Sequence, residues 1–106
     1  MPCDPKADPA GCASMEELRG LIDAIDAELV ALLARRQACI DRAVEIKRGS
    51  GLPAAIPARV EDVVSKVRAH ADGQGLDADL AEALWREMIA RFIRREAVAL
   101  GEDDGR

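Results

Sequence analysis

From Leu18 onward, apolar residues fall at Leu18, Ile22, Ile25, Leu29 and Leu32. The same steps of three and four continue through Arg36, Ile40, Ala43 and Lys47. This spacing places all of them on one stripe of a helix. A helix from about Met15, just before this stripe, to about Arg48 is about 50 Å long. Two stripe positions are cations. A cation on a buried stripe is costly unless an anion meets it, and no acidic residue lies on the stripe itself. Two accounts are open. In the first, the cations are structural: Lys47 sits at a helix C-terminus, where positive charge is favoured and a long side chain reaches water, and Arg36 pairs with an acid on another helix. In the second, both hold an anionic ligand. Arg36 and Lys47 are eleven residues apart, close to the roughly 10.8 residues of three turns, so they share a face about 16 Å apart along the axis. An arginine fork suits a carboxylate and a lysine ammonium acts as a compact point charge. Arg59, just past a short loop, is a third cation within reach of the same place.

The rest of the chain gives two further helices. Ser14-Met15-Glu16-Glu17 fits a capping box at the start of the long helix, and Gly49-Ser50-Gly51 stops it. A linker follows, with Pro53 inside it and Pro57 as a first helical residue. Val60, Val63, Val64 and Val67 mark a second helix that ends near Gly73 and Gly75. Asp77 is placed to cap a third, whose stripe reads Leu80/Ala81, Leu84/Trp85, Met88, Phe92 and Glu96. Residues 1–13 read as a flexible tail, 14–100 as one helical domain and 101–106 as a second tail. No strand pattern appears. The expected fold is all-α, with three helices of unequal length. Helices two and three cover the first only if they lie end to end. An intertwined homodimeric bundle buries the long stripe more readily, and a monomer with a bent long helix is the alternative.

Composition narrows the classes. With 15 Lys and Arg against 20 Asp and Glu, the net charge of −5 argues against nonspecific nucleic-acid binding. The three cysteines, Cys3, Cys12 and Cys39, have no CxxC spacing, so free thiols in a reducing cytoplasm are expected. A lone histidine, His70, gives no metal set. No apolar run approaches the roughly 20 residues of a membrane span, and no signal peptide is expected.

The string from Leu18-Arg19 through Ile22-Asp23, Ile25-Asp26, Leu29 and Leu32-Leu33 to Arg36 resembles the AroQ-type chorismate mutases. In that family a motif of the form LRxxIDxIDxxLvxLLxxR is followed eleven residues later by a lysine, here Lys47, and after a short loop by an arginine, here Arg59. The GLDxxL motif before the last helix is matched by Gly75 to Leu80. The resemblance spans about residues 15–100. It implies an intertwined homodimer that rearranges chorismate to prephenate without a cofactor. Carried over residue by residue, Arg19 and Arg36 would bind the two carboxylates of a small dicarboxylate substrate. Lys47 would hydrogen-bond the ether oxygen and a carboxylate, Arg59 would add positive charge, and Glu96 would face the ether oxygen. Lys47, Glu96 and Arg36 would be the catalytic set. Geometry adds a condition. Arg19 and Arg36 lie 17 residues apart, about 25 Å along a straight helix, so Arg19 reaches the same substrate only from a partner chain.

Two positions depart from the family pattern. Many members have glutamine at the position of Glu96, and an ionised carboxylate cannot donate to an ether oxygen. Glu96 either faces the ether protonated or pairs with Lys47. Val60 stands where well-known mutases have a glutamate that holds the ring hydroxyl. The run Ala54-Ala55-Ile56-Pro57-Ala58-Arg59-Val60 resembles instead the isochorismate pyruvate-lyase branch, which forms salicylate. Amino-substituted chorismates and a non-catalytic helical dimerisation module complete the alternatives.

Overall fold

The structure, a computed structural model, describes residues 4–101. Cys3 and the C-terminal tail beyond Gly101 fall outside the described residues. A 3-10 turn, Pro9–Gly11, is followed by three helices: α1, Met15–Ser50; α2, Pro57–Gln74; and α3, Ala78–Leu100. No strand occurs among the described residues. The all-α reading and the three unequal lengths therefore hold.

The helix ends follow from local chemistry. The Ser14 hydroxyl accepts from the Glu17 amide at 3.1 Å. Glu17 reaches back one residue further than a standard capping box, accepting from the Ala13 amide at 2.8 Å. At its other end α1 runs two residues past Arg48. The Ser50 hydroxyl bonds the Ile46 carbonyl at 3.1 Å, and Gly51 takes a left-handed φ of 74° while its amide bonds the Lys47 carbonyl. Ile56 offers no capping side chain to α2, and Pro57 starts it by fixing φ. Gly75 ends α2 at φ 75°, and the Leu76 amide bonds the Ala71 carbonyl at 2.9 Å, closing a Schellman turn. Asp77 caps α3 through the Asp79 and Leu80 amides.

The chain divides into two compact units, Met1–Cys39 and Ile40–Arg106. In the first, Asp8 caps the 3-10 turn through the Ala10 amide, so part of the segment expected as a tail carries regular local bonding. Cys12 and Leu21 line a shared cavity with Asp8 and Glu17. Along α1, Leu21 is 1% exposed, whereas Ile22, Leu29 and Leu32 of the apolar stripe are 47%, 51% and 53% exposed. The stripe is thus largely uncovered in this half of α1.

In the second unit α2 and α3 pack against each other. The three-residue connection and the pairing of residues far apart in sequence make them antiparallel: Arg68 bonds Asp79 and Glu82, while Arg86 bonds Glu61. Val64, Ala71 and Ala81 are buried between the elements. The inward row of α3 is Ala81, Trp85, Met88, Phe92 and Glu96, all buried or half-buried. Leu80 and Leu84 turn outward, at 47% and 53% exposed. The α1 end is tied to α3 by Arg95–Asp41 at 3.0 Å and by the Arg48 guanidinium on the Ala99 carbonyl at 2.6 Å.

The arginine-linked carboxylates set an acid limit. The Arg86 hydrogen bond holds Glu61 and, more than any other cause, Glu82 below the ordinary 4.5. The Arg95 bond does the same to Asp41, below 3.8. A carboxyl whose folded pKa is lowered adds stability above its unfolded pKa and loses it as pH falls through the folded one. Thermal unfolding should therefore show a midpoint that is flat near neutrality and falls below about pH 4.5. Glu61→Gln should shrink the part of that fall due to Arg86; an unchanged acid slope would dismiss its contribution.

Candidate active site

Both seam cations needed an anion, and for Lys47 the chain supplies one. Lys47 lies three residues after Val44, which is 6% exposed, so α1 carries its side chain inward. Glu96 lies one turn past Phe92 on the inward row of α3 and is 5% exposed. The Lys47 ammonium donates to Glu96 Oε2 at 2.9 Å, with Oε1 at 3.5 Å. It also donates to the Ala54 carbonyl at 2.9 Å. The side chains are only 15% and 6% exposed. The pair is therefore shielded from water, unlike the i,i+4 surface bridge of Arg91 to Glu87, at 71% and 64%.

The other candidates take separate positions. Arg59 is exposed and binds Asp62, one turn further along α2, at 2.7 Å. Asp62 also accepts from Lys66, and these two hydrogen bonds, that of Lys66 first, lower its pKa. Val60, the next residue, is half-buried. Arg36 and Arg19 both belong to the first unit; Arg36 is half-buried and Arg19 exposed. The structure thus joins Lys47 with Glu96 and turns Arg59 into a helix-surface ion pair.

The Ala54 carbonyl is the member that sequence reasoning missed. Every residue carries a carbonyl, so no side-chain pattern marks one that will meet an ammonium. The one available hint was the short linker after Lys47, which must fold back close to the helix end. Ala54 is 5% exposed, and this small residue is seated in the linker at the point of contact.

Chemically, this is a half-buried ammonium fixed by one carboxylate and one carbonyl. Such a group can bind or stabilise an oxygen that carries negative charge. No cluster of three or more His, Cys, Asp or Glu side chains suited to a metal occurs among the described residues. No helix among them is long and apolar enough to cross a membrane.

The fold and this pair define an all-helical protein in which the longest helix sets a shielded lysine against a glutamate of the last. Within that class the chain belongs to the chorismate mutase type II family, whose model matches residues 18–97. Relatives similar in sequence include two T-proteins and an isochorismate pyruvate lyase. The T-protein of Haemophilus influenzae is 32% identical over 81 residues, covering 76% of this chain and 20% of that protein. The T-protein of Enterobacter agglomerans is 31% identical over 93 residues, covering 88% and 24%. The isochorismate pyruvate lyase of Pseudomonas aeruginosa is 32% identical over 90 residues, covering 83% of this chain and 86% of that protein. The chain thus spans a quarter or less of the two T-proteins. No solved structure matches it.

Removing one partner of a shielded ion pair strands the other. Glu96→Ala should lower unfolding free energy by about 3 kcal/mol, read from urea denaturation. Glu96→Gln, which keeps an acceptor for the ammonium, should cost less than half as much. Equal losses in the two variants would mean that the charge of Glu96 carries the whole effect and its acceptor oxygen none of it.

Proposed function

We propose that this chain is a chorismate mutase, an isomerase that converts chorismate to prephenate. The observation that carries the reading is the shielded Lys47 ammonium, held by Glu96, at the position where the matching family pattern has its lysine. The rearrangement is an intramolecular pericyclic step. It transfers no proton to the protein and requires neither a nucleophile nor a cofactor. Two kinds of help suffice. Arginine forks can select the compact conformer that brings the reacting carbons together. An ammonium can stabilise the negative charge that grows on the ether oxygen as the C–O bond breaks. In this reading Lys47 has the second role, and Arg36 and Arg19 bind the two carboxylates. Glu96 accepts from Lys47 and so acts on the ether oxygen through it. Arg59 contributes positive charge after giving up its exposed bridge to Asp62.

The reading includes a homodimer in which a second copy lends Arg19. The exposure of Ile22, Leu29 and Leu32 on the stripe supports it, because an uncovered apolar row of this length on one helix marks an interaction surface. The axial distance from Arg19 to Arg36 supports the sharing of sites.

A second reading, isochorismate pyruvate lyase, is favoured by one specific observation. The Pseudomonas relative of that name is aligned over 86% of its own length. Val60, in place of a hydrogen-bonding acid, agrees with it.

Chorismate and isochorismate offered separately distinguish the readings. Prephenate from chorismate supports the mutase, and salicylate with pyruvate from isochorismate supports the lyase. Turnover of neither would leave a helical binding module. In the active case, Lys47→Ala should lower kcat by about 10² or more; an unchanged kcat would remove Lys47 from the chemistry. Mixing Arg19→Ala with Arg36→Ala chains should restore about one working site per mixed dimer. Verified heterodimers without activity would rule out shared sites.

A further inference from the structure

A lysine ammonium has three N–H donors that rotate together about the Cε–Nζ bond. At Lys47 one is taken by the Ala54 carbonyl and one by the Glu96 carboxylate, at 2.9 Å from the carbonyl and 2.9 Å from Oε2, with Oε1 of the same carboxylate at a longer 3.5 Å. Two bonds from different directions fix that rotation, so the third N–H has one orientation. One acceptor comes from α3 and the other from the linker between α1 and α2. We propose that the Ala54 carbonyl is a positioning group which, with Glu96, locks the Lys47 ammonium so that a single N–H is presented to a ligand oxygen.

Each acceptor alone opposes rotation about Cε–Nζ with a lower barrier than the two together. Glu96 supplies the charge partner, and its nearly buried carboxylate keeps that bond because its loss would strand an anion. The carbonyl supplies direction. The small size of Ala54 fits this role, since the residue is 5% exposed and a larger side chain there would push the carbonyl off the ammonium. Lys47 then offers a substrate one aimed bond. A single N–H shared between an ether oxygen and a neighbouring carboxylate oxygen meets the need inferred above.

The inference rests on the proposed reading only for its kinetic readout. Ala55→lactic acid, introduced by suppression with the hydroxy acid, turns the 54–55 amide into an ester and makes the Ala54 carbonyl a weaker acceptor while leaving every side chain in place. Ala55→Gly keeps the amide and serves as control. In the ester chain kcat should fall about tenfold, as expected of a small misalignment of a reacting group, with KM changed by less than about twofold. A linker that merely loosened would raise KM or lower the thermal midpoint in both variants. Nitrogen-15 relaxation of the lysine ammonium groups supplies a readout that needs no substrate. In the unmodified chain Lys47 should rotate more slowly about Cε–Nζ than the exposed Lys6, and faster again in the ester chain. A Lys47 ammonium turning as fast as that of Lys6, or an ester chain with unchanged rotation and kcat, would overturn the proposal. If neither chorismate nor isochorismate is turned over, the proposed function fails while the rotation measurement still decides the role of Ala54.

Discussion

The shielded bridge between Lys47 and Glu96 is the constraint on which the second unit depends. A cation carried inward by α1 has to find an anion, and one side chain on the facing row of α3 provides it. Sliding α3 by a turn would place Phe92 or Leu100 opposite the ammonium and leave both charges stranded, at a cost of several kcal/mol. The bridge therefore selects one register. The exposed bonds around it, Arg95 to Asp41 and Arg48 to the Ala99 carbonyl, agree with that register but could not enforce it, because each lies in water where an ion pair is worth about 1 kcal/mol or less. The carbonyl of Ala54 extends the same constraint to the linker.

The first unit poses the opposite problem. Its part of α1 has more apolar surface than it covers: Val30 and Leu33, at 65% and 41% exposed, add to the open stripe of Ile22, Leu29 and Leu32. On α2 and α3 the outward apolar residues are fewer, and many of the charged side chains there are tied into arginine–carboxylate bridges. The proposed dimer answers this asymmetry, since the row most in need of cover runs into Arg36 and starts beside Arg19.

Much of this was legible in the sequence because helices report themselves through periodicity and punctuation. Gly51, Gly75, Asp77 and Pro57 mark the observed ends to within two residues. The stripe of α1 was legible as a stripe. Whether it is buried was not, because periodicity says which residues share a face and is silent on what faces them. The same gap explains α3. Leu80 and Ala81 were equally eligible for the inward row, and the bulkier one points out because the row is set by its later members, Trp85, Met88, Phe92 and Glu96. Glu96 itself was legible as a seam charge with two possible partners, and only packing joins it to Lys47. Arg59 was legible as a cation just past the loop, but its bridge to Asp62, one turn along α2, was not, because the sequence offers several acids to it.

The two proposed activities make the same demand of this pair. Rearrangement of chorismate and cleavage of isochorismate both break the ether C–O bond, and both place growing negative charge on its oxygen. An ammonium with one aimed N–H serves either reaction equally well, so Lys47, Glu96 and the Ala54 carbonyl cannot discriminate between the substrates. The substrates differ in where the ring hydroxyl sits. Discrimination then belongs to the residues that would meet the ring, and in the proposed site that includes the position after Arg59. Val60 is half-buried and apolar, so it can exclude a hydroxyl from its side of the ring but cannot bind one. A site with such a wall rewards the substrate whose hydroxyl points elsewhere, by the cost of leaving a polar group without a partner, about 1–3 kcal/mol. That penalty is enough for a ten- to hundredfold preference, so in the proposed site one apolar side chain on α2 would set the substrate while the ion pair between α1 and α3 would serve the step common to both reactions.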